Sequence, residues 1–311
     1  MSLFTDQLGR VISISKKPQR IISLVPSQTE LLFDLGLSNE VVGITKFCIH
    51  PAEWFRTKSR IGGTKNIHLE KIDELKPDLI IANKEENTKE QIEILAKQYS
   101  VWVSDVNTLE DAMVMICEIG CITSASDKAE KIMKGIEKGF TELKYEISKK
   151  QDTRTKDQVP INENKKNTNK KTPTIINEQL TPCSRLPTPT SRLAAPISTC
   201  YLIWKDPYMI AGGDTFISNM LQYCGLTNAF GHLTRYPEIT IPQLQTINPQ
   251  LILLSSEPYP FKQKHIDDLQ QQLPHSKIIL VDGEFFSWYG SRLLKAPDYF
   301  NELIKLINDK W

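Results

Sequence analysis

No apolar run in this chain approaches the roughly 18–20 residues that a membrane-spanning helix needs. Met1–Arg10 carries no basic start followed by an apolar core, so the sequence shows no export signal. That absence predicts a cytoplasmic protein, or a periplasmic one if the start of the chain is mis-assigned. Neither charge is in surplus: 38 Lys and Arg against 37 Asp and Glu give +1, which argues against a general binder of nucleic acid or anionic membrane. No Cys-x-x-Cys pair occurs among the six cysteines, Cys48, Cys117, Cys121, Cys183, Cys200 and Cys224, and they read as reduced thiols. Cys117 and Cys121 share one helical face and read as two small core residues. Catalytic signatures are missing too. There is no Gly-x-Ser-x-Gly elbow and no Gly-x-Gly-x-x-Gly after the first strand, and Gly212-Gly-Asp-Thr215 lacks the lysine of a phosphate-binding loop.

What remains is ordinary for a globular chain. It has 311 residues with 40% apolar and 24% charged side chains, enough for about two domains of ~150 residues. One stretch stands apart. Lys149–Ser198 has no glycine, no aromatic residue, six prolines and a charge of +6, leaving −5 for the rest. So polar a segment cannot bury enough apolar surface to offset chain entropy. It reads as a disordered basic insertion over 149–198, with docking on an acidic partner as the alternative.

On either side the pattern alternates strand and helix, which implies largely parallel sheets covered on both faces. In the first part, strands are predicted at 20–25, 40–45, 77–82 and 100–104. Ser27 and Glu30 have capping-box spacing at the start of the first helix. The second part repeats the scheme, and Leu75-Lys-Pro-Asp-Leu-Ile-Ile recurs as Ile247-Asn-Pro-Gln-Leu-Ile-Leu. Between the halves, Ala125, Ala129, Ile132, Met133, Ile136, Phe140, Leu143 and Ile147 form one helical stripe, a strut between lobes. The expected layout is an N-terminal α/β lobe at 1–122, a bridging helix at 123–148, the insertion at 149–198 and a C-terminal α/β lobe at 199–311.

Ligands of open α/β sheets sit beyond the carboxyl ends of the strands. The loops there hold Phe47, His50, Trp54, Asn83, Trp204, Tyr208, Tyr236, Glu257, Tyr259, Glu284, Phe286, Trp288 and Arg292. Aromatic faces with a few convergent polar groups suit a small-molecule cleft. Glu257, Glu284 and Arg292 would orient a ligand by charge-assisted bonds, or form a structural ion pair. His50 reads as a ligand contact or a loop residue. His68, His232, His265 and His275 read as surface histidines, and Lys84, Glu85 and Glu86 as solvated loop charges. No catalytic residue, metal ligand or cofactor is assigned. The alternative is an enzyme using the same cleft, with His50 and Glu284 as acid and base within about 3 Å of a substrate atom.

A resemblance then comes into view. Pro18-Gln-Arg-Ile-Ile-Ser-Leu-Val-Pro-Ser-Gln-Thr-Glu-Leu-Leu32, Val42-Gly-Ile-Thr45, Ile61-Gly-Gly-Thr64, Lys76-Pro-Asp-Leu-Ile-Ile-Ala82, Gly212-Gly-Asp-Thr-Phe216 and Tyr236-Pro-Glu-Ile-Thr240 follow one another as in the iron-siderophore and vitamin B12 periplasmic-binding domain family. The chain resembles that family everywhere but the insertion, most nearly its cobalamin-binding branch. The resemblance implies two Rossmann-like lobes joined by one long helix, with a corrinoid, haem or ferric-siderophore-like ligand between them. His50 or Phe47, Asn83, Trp204, Tyr236 and Glu284–Arg292 match ring-binding positions of that branch. It also implies a monomer that delivers a small-molecule chelate to an ABC importer permease. The glutamates that dock such proteins fall at Lys89 or Glu90 on the first lobe and at Pro242 on the second. The uncharged Pro242 implies that any docking is not of the usual kind.

Overall fold

The computed structural model describes residues 2–156 and 196–309, and no side chain of 150–156. The stretch 149–198 read as a disordered insertion therefore lies, over residues 157–195, outside the described residues.

The first lobe opens with an antiparallel hairpin, β1 (Ser2–Thr5) and β2 (Val11–Ile14). The Asp6 carboxylate accepts from the backbone N–H of Leu8, Arg10 and Val103, which closes the turn and ties it to the sheet. There follow β3 (Ile21–Ser23), α1 (Pro26–Asp34), β4 (Val41–Ile44), α2 (Ala52–Thr57), β5 (Ser59–Arg60), α3 (Leu69–Leu75), β6 (Leu79–Asn83), α4 (Lys89–Ala96), β7 (Val101–Ser104) and α5 (Leu109–Ile122). The sheet is parallel in the order β5-β4-β3-β6-β7. Helix α6 (Ser126–Lys156) leads out of this lobe.

The second lobe contains β8 (Ile197–Trp204), β9 (Met209–Ile210), α7 (Phe216–Tyr223), β10 (Leu226–Asn228), α8 (Ile241–Ile247), β11 (Leu251–Ser255), α9 (Gln263–Gln272), β12 (Lys277–Val281), α10 (Glu284–Ser287), a 3₁₀ turn (Ser291–Leu294) and α11 (Ala296–Asp309). Strands β10-β8-β11-β12 run parallel, with β9 antiparallel on β8. Two α/β lobes with parallel sheets are what the strand–helix alternation predicts.

The repeated phrase is a repeated structure. Lys76 and Asn248 both cap their helices in the left-handed conformation, at φ 45° and 48°, and both are followed by a proline that cannot continue a helix. Asp78 then accepts from the N–H of Gln19 and Arg20, and Gln250 accepts from that of Ser198. In each lobe the chain leaving the helix is thereby fastened to the start of the neighbouring strand.

Ala129, Ile132, Ile136, Phe140 and Leu143 bury the stripe of α6, and one continuous apolar core runs from the first lobe through this helix into the inner face of the second. A smaller core, with Leu202, Ile252, Leu254 and Leu269, lies on the other face of the second sheet. At the junction Gly290 sits where a Cβ would lie 2.5 Å from the Ser27 carbonyl of α1. Only glycine permits so close an approach. Gly290→Ala is expected to cost about 1–3 kcal/mol through this overpacking, read as a lower denaturant midpoint.

Three expectations are corrected. Helix α1 begins at Pro26, with Val25 at the N-cap and no side-chain cap; Ser27 is buried and Glu30 binds Arg292 instead. Proline's fixed φ suits the first helical position, which moves the start one residue upstream of a Ser27 cap. Cys121 is exposed and Cys117 half-buried. They lie beside the inward stripe of α5, which is Ala112, Met115, Ile116, Ile119 and Ile122. His265 is buried, because its Nδ1 accepts the Lys262 N–H at 2.8 Å and closes the start of α9. Among the described residues no helix is long and apolar enough to cross a membrane.

Candidate functional site

The parallel sheets fix which loops meet between the lobes. After β6, Asn83 is buried at 1% exposure and serves as scaffold. Its Oδ1 accepts the N–H of Glu85 (2.8 Å) and Glu86 (3.0 Å), and its Nδ2 donates to Ser104 Oγ (2.9 Å). Asn87 Oδ1 accepts the Asn83 N–H at 2.9 Å, and its amide reaches back to the Thr64 carbonyl. Two asparagines thus hold a short turn with two glutamates at its tip. Asn83→Ala is expected to cost about 1–3 kcal/mol, since buried partners are left unsatisfied, and to weaken ligand binding by loosening the turn. Denaturant unfolding and ligand titration of one sample check both.

The glutamates are not solvated loop charges. Glu85 forms an ion pair with Arg235 of the second lobe and accepts from Tyr236 Oη at 3.3 Å. Arg235 also donates to Asn107 Oδ1 at 3.3 Å, a second link across the junction. Glu86 is half-buried; burial pushes its carboxyl above the usual range, with Lys65 opposing. Its charge is felt by Glu257, Tyr236 and Tyr289, all on the second lobe. Lys84 pairs with Asp105 at 2.6 Å.

The second lobe answers with the loops after β11 and β12. These come close because residue 283 is glycine: a Cβ there would lie 2.8 Å from Glu257 Cγ and closer still to Ser255 Oγ. Glu257 Oε1 accepts from Ser287 Oγ (2.7 Å) and Trp288 Nε1 (2.9 Å). Burial, with the Glu284 and Glu86 charges behind it, pushes the Glu257 carboxyl up to about 7 against those two hydrogen bonds. Arg292 makes a fork on Glu30 of α1 (2.9 Å to each oxygen) and an ion pair with Glu284. His50 Nε2 lies 3.5 Å from Glu284 Oε1, and its ring meets Trp288 edge-on at 5.7 Å. His50, Tyr236, Glu257, Glu284, Trp288 and Arg292 are therefore brought to one junction.

Other expected contacts sit elsewhere. Trp54 is 1% exposed, edge-on to Phe33, because α2 turns it into the core against α1. Phe286 is buried between Tyr201 and Phe300. Trp204, Tyr208 and Tyr259 pack with Phe261 and His265 on the second lobe's own core. Phe47 is 51% exposed, beside Lys46. Trp288 is only 6% exposed, its face covered by the Arg292 guanidinium at 4.5 Å. The junction is thus more carboxylate and less open aromatic face than the sequence suggests. Glu30, Glu85, Glu86 and Arg235 were missed. The signal for Glu86 was present in the Asn83 and Asn87 spacing, since asparagine folds its own backbone into such turns.

Two α/β lobes joined by one long helix, with polar groups from both meeting at the strand ends, define the frame of a two-lobed binding protein. The family model described as periplasmic binding protein matches residues 21–174, just under half of the chain, in line with the resemblance that the ordered motifs carry. An uncharacterized ABC transporter substrate-binding lipoprotein of Bacillus subtilis is 24% identical over 311 residues, covering 96% of this chain and 84% of the relative. A vitamin B12-binding protein of Pectobacterium atrosepticum is 23% identical over 281 residues, 90% of this chain and 86% of that one. The crystal structure of the periplasmic vitamin B12 binding protein of Vibrio cholerae superposes with a TM-score of 0.67 at 18% identity, covering 94% of this chain and 98% of that one. These relatives overturn the cytoplasmic expectation: one is a lipoprotein and another periplasmic, and such proteins work outside the cytoplasmic membrane.

Proposed function

We propose that this chain is the substrate-capturing component of an ABC importer. It works outside the cytoplasmic membrane and holds a corrinoid, haem or ferric-siderophore-like chelate between its lobes without transforming it. The observation that carries this reading is the meeting of His50, Glu85 and Glu86 from the first lobe with Tyr236, Glu257, Glu284 and Arg292 from the second. They meet at the strand ends of two lobes whose core is continuous behind them. A shared core resists wide hinge motion, so ligand would enter by replacing the side-chain bridges. Phe47, exposed on the first lobe, would add apolar contact around a bound chelate. In docking on a permease, Glu90 at the start of α4 would act for the first lobe, and Pro242 at the start of α8 offers the second no charge.

Titration of the purified chain with cobinamide, cobalamin and haemin is expected to change its tryptophan fluorescence, and Trp288→Phe to remove most of that change. No response to any of the three would overturn the corrinoid and haem reading.

A second reading has one observation in its favour. His50 and Glu284 stand 3.5 Å apart, near enough for an acid–base pair to share a substrate proton. Yet Glu284 is also engaged by Arg292 in an ion pair, which commits it to orienting its neighbours. Recovery of cobinamide or haemin unchanged in mass after long incubation separates capture from catalysis.

A further inference from the structure

The junction is fastened in two different ways. Strands β10 and β12 end the sheet order β10-β8-β11-β12. Arg235, which follows β10, and Arg292, which follows β12, therefore reach the first lobe on opposite flanks. On the Arg292 flank the contact goes down to the backbone. Gly290 lies against the Ser27 carbonyl, Ser291 Oγ donates to Asp34, and Arg292 forks on Glu30. Ser27, Glu30 and Asp34 follow at helical spacing and share one face of α1. The 3₁₀ turn is seated along that face with Ser291 and Leu293 buried.

On the Arg235 flank the lobes meet through side-chain ends. Glu85 holds the Arg235 guanidinium and the Tyr236 hydroxyl, and Asn107 Oδ1 accepts from Arg235 at 3.3 Å. The arginine side chain is 42% exposed. A cavity of about 760 Å³ opens beside it, walled by Asn107 and Thr108 of the first lobe and by Asn219 and Gln222 of the second. The Leu109 N–H donates to Asn219 Oδ1 at 2.9 Å, a further link between the lobes on this flank.

Arg235 sits in the left-handed backbone region at φ 57°, which residues with a side chain rarely adopt. Two bonds impose it: Asp214 Oδ1 accepts the Arg235 N–H at 2.5 Å, and the Arg235 carbonyl accepts the Gly212 N–H at 2.8 Å. The carbonyls of Leu233 and Pro237 accept from Gly213 and Ile210, at 2.7 and 3.1 Å. The chain is thus strapped to the second lobe on both sides of the arginine. Its root is fixed, and its long, partly exposed side chain is the part able to swing.

We propose that Arg235 is the gate of the junction. Ligand passes on its flank when the guanidinium leaves Glu85 and Asn107, while the α1 flank stays shut as the pivot. Asp214 is a positioning residue that aims the gate. An exposed ion pair is weak and a buried one is costly to break, so opening follows Arg235 and not Arg292. The inference rests on the capture reading and concerns the route, not the ligand.

Stopped-flow fluorescence with dicyanocobinamide tests it. Arg235→Met is expected to raise the association and dissociation rates together by about fivefold, which is what an exposed ion pair of ordinary strength holds back. Kd should then stay within about twofold of the parent. Asp214→Ala should act likewise, and D214N, whose amide oxygen still accepts the Arg235 N–H, should restore the parent rates. Ser291→Ala, on the pivot, should leave both rates as they are. The probe carries no net charge, so added salt should speed association of the parent and not of R235M. Hydrogen exchange reads the gate without ligand. The Leu109 amide should exchange about fivefold faster in R235M, and those of Leu293 and Lys295 at the parent rate. If R235M does not fold, Asn107→Ala, which removes one first-lobe partner, should move rates and exchange in the same direction. A Kd raised through dissociation alone makes Arg235 a ligand contact and overturns the gate. So does exchange that rises on both flanks or on neither. Should neither dicyanocobinamide nor haemin bind the parent, the capture reading falls, while the exchange pattern still decides which flank opens.

Discussion

Arg292→Met is expected to lower stability by about 3–5 kcal/mol, the loss that follows when one partner of a buried ion pair is removed. The arginine side chain is 12% exposed, Glu30 14% and Glu284 16%. One guanidinium therefore neutralises two carboxylates, one from each lobe, in a site poor in water. Its plane also lies 4.5 Å from the Trp288 ring and 5.9 Å from Phe285. Methionine keeps much of the packing volume and removes the charge, so the loss reports on electrostatics. Glu30 and Glu284 would then face each other unpaired, with Glu257 and Glu86 close by. Two controls sharpen the test. R292M/E30Q should recover part of the loss, since residues in one network do not add. The loss should also shrink between pH 8 and pH 5, as carboxylates without a cation take up protons more readily. Guanidinium chloride unfolding at the two pH values measures all of this. A loss below about 1 kcal/mol, typical of a solvent-exposed pair, would show that Arg292 does not clamp the lobes. Ligand binding should fall too, because Glu284, His50 and Trp288 are oriented through this cation.

The sequence carried the scaffold well because the scaffold is written in local patterns. The α6 stripe, the αL caps at Lys76 and Asn248 and the parallel strands each follow from residues within one element and its neighbour. Short edge elements such as β5, β9 and β10 were not legible, since two or three residues carry no period. The site was legible in part. The loops at the strand ends followed from parallel topology, and His50, Tyr236, Glu257, Glu284, Trp288 and Arg292 do meet there. What failed was burial. An aromatic residue in a loop looks exposed in sequence, but α2 turns Trp54 inward and Arg292 covers Trp288. Pairing across the lobes failed for a related reason. Arg292 binds Glu30 at a separation of 262 residues, and no local pattern marks such a contact. Glu30 was instead assigned to a capping box with Ser27, a local explanation that a distant arginine displaces.

Stability is expected to fall as pH rises from about 5 to about 8, and Glu257 is the main reason. Its carboxyl is pushed up to about 7 in the folded chain from an ordinary 4.5, by burial first and by the Glu284 and Glu86 charges second. Below the ordinary value both folded and unfolded chains hold the proton, and the group's contribution is fully present. Between 4.5 and 7 the folded chain keeps a proton that the unfolded chain has released, so stability declines by up to about 1.4 kcal/mol per pH unit. Above about 7 the folded chain must carry the buried charge as well. The accumulated loss is then about 3 kcal/mol for a shift of this size. Glu86 is displaced in the same direction and steepens the decline. Glu40, held below its usual range beside Lys17, works the other way, but at lower pH, where its own proton leaves. Glu257→Gln should flatten most of the profile, since the amide accepts from Ser287 and Trp288 without acquiring charge. It should also make the variant more stable than the parent at pH 8 and no more stable at pH 5. Unfolding midpoints at half-unit pH intervals decide the matter: a parent profile that is level or rising over this range removes Glu257 as a buried, proton-holding group. A falling profile that E257Q leaves untouched assigns the effect to Glu86, which E86Q then tests in the same buffers.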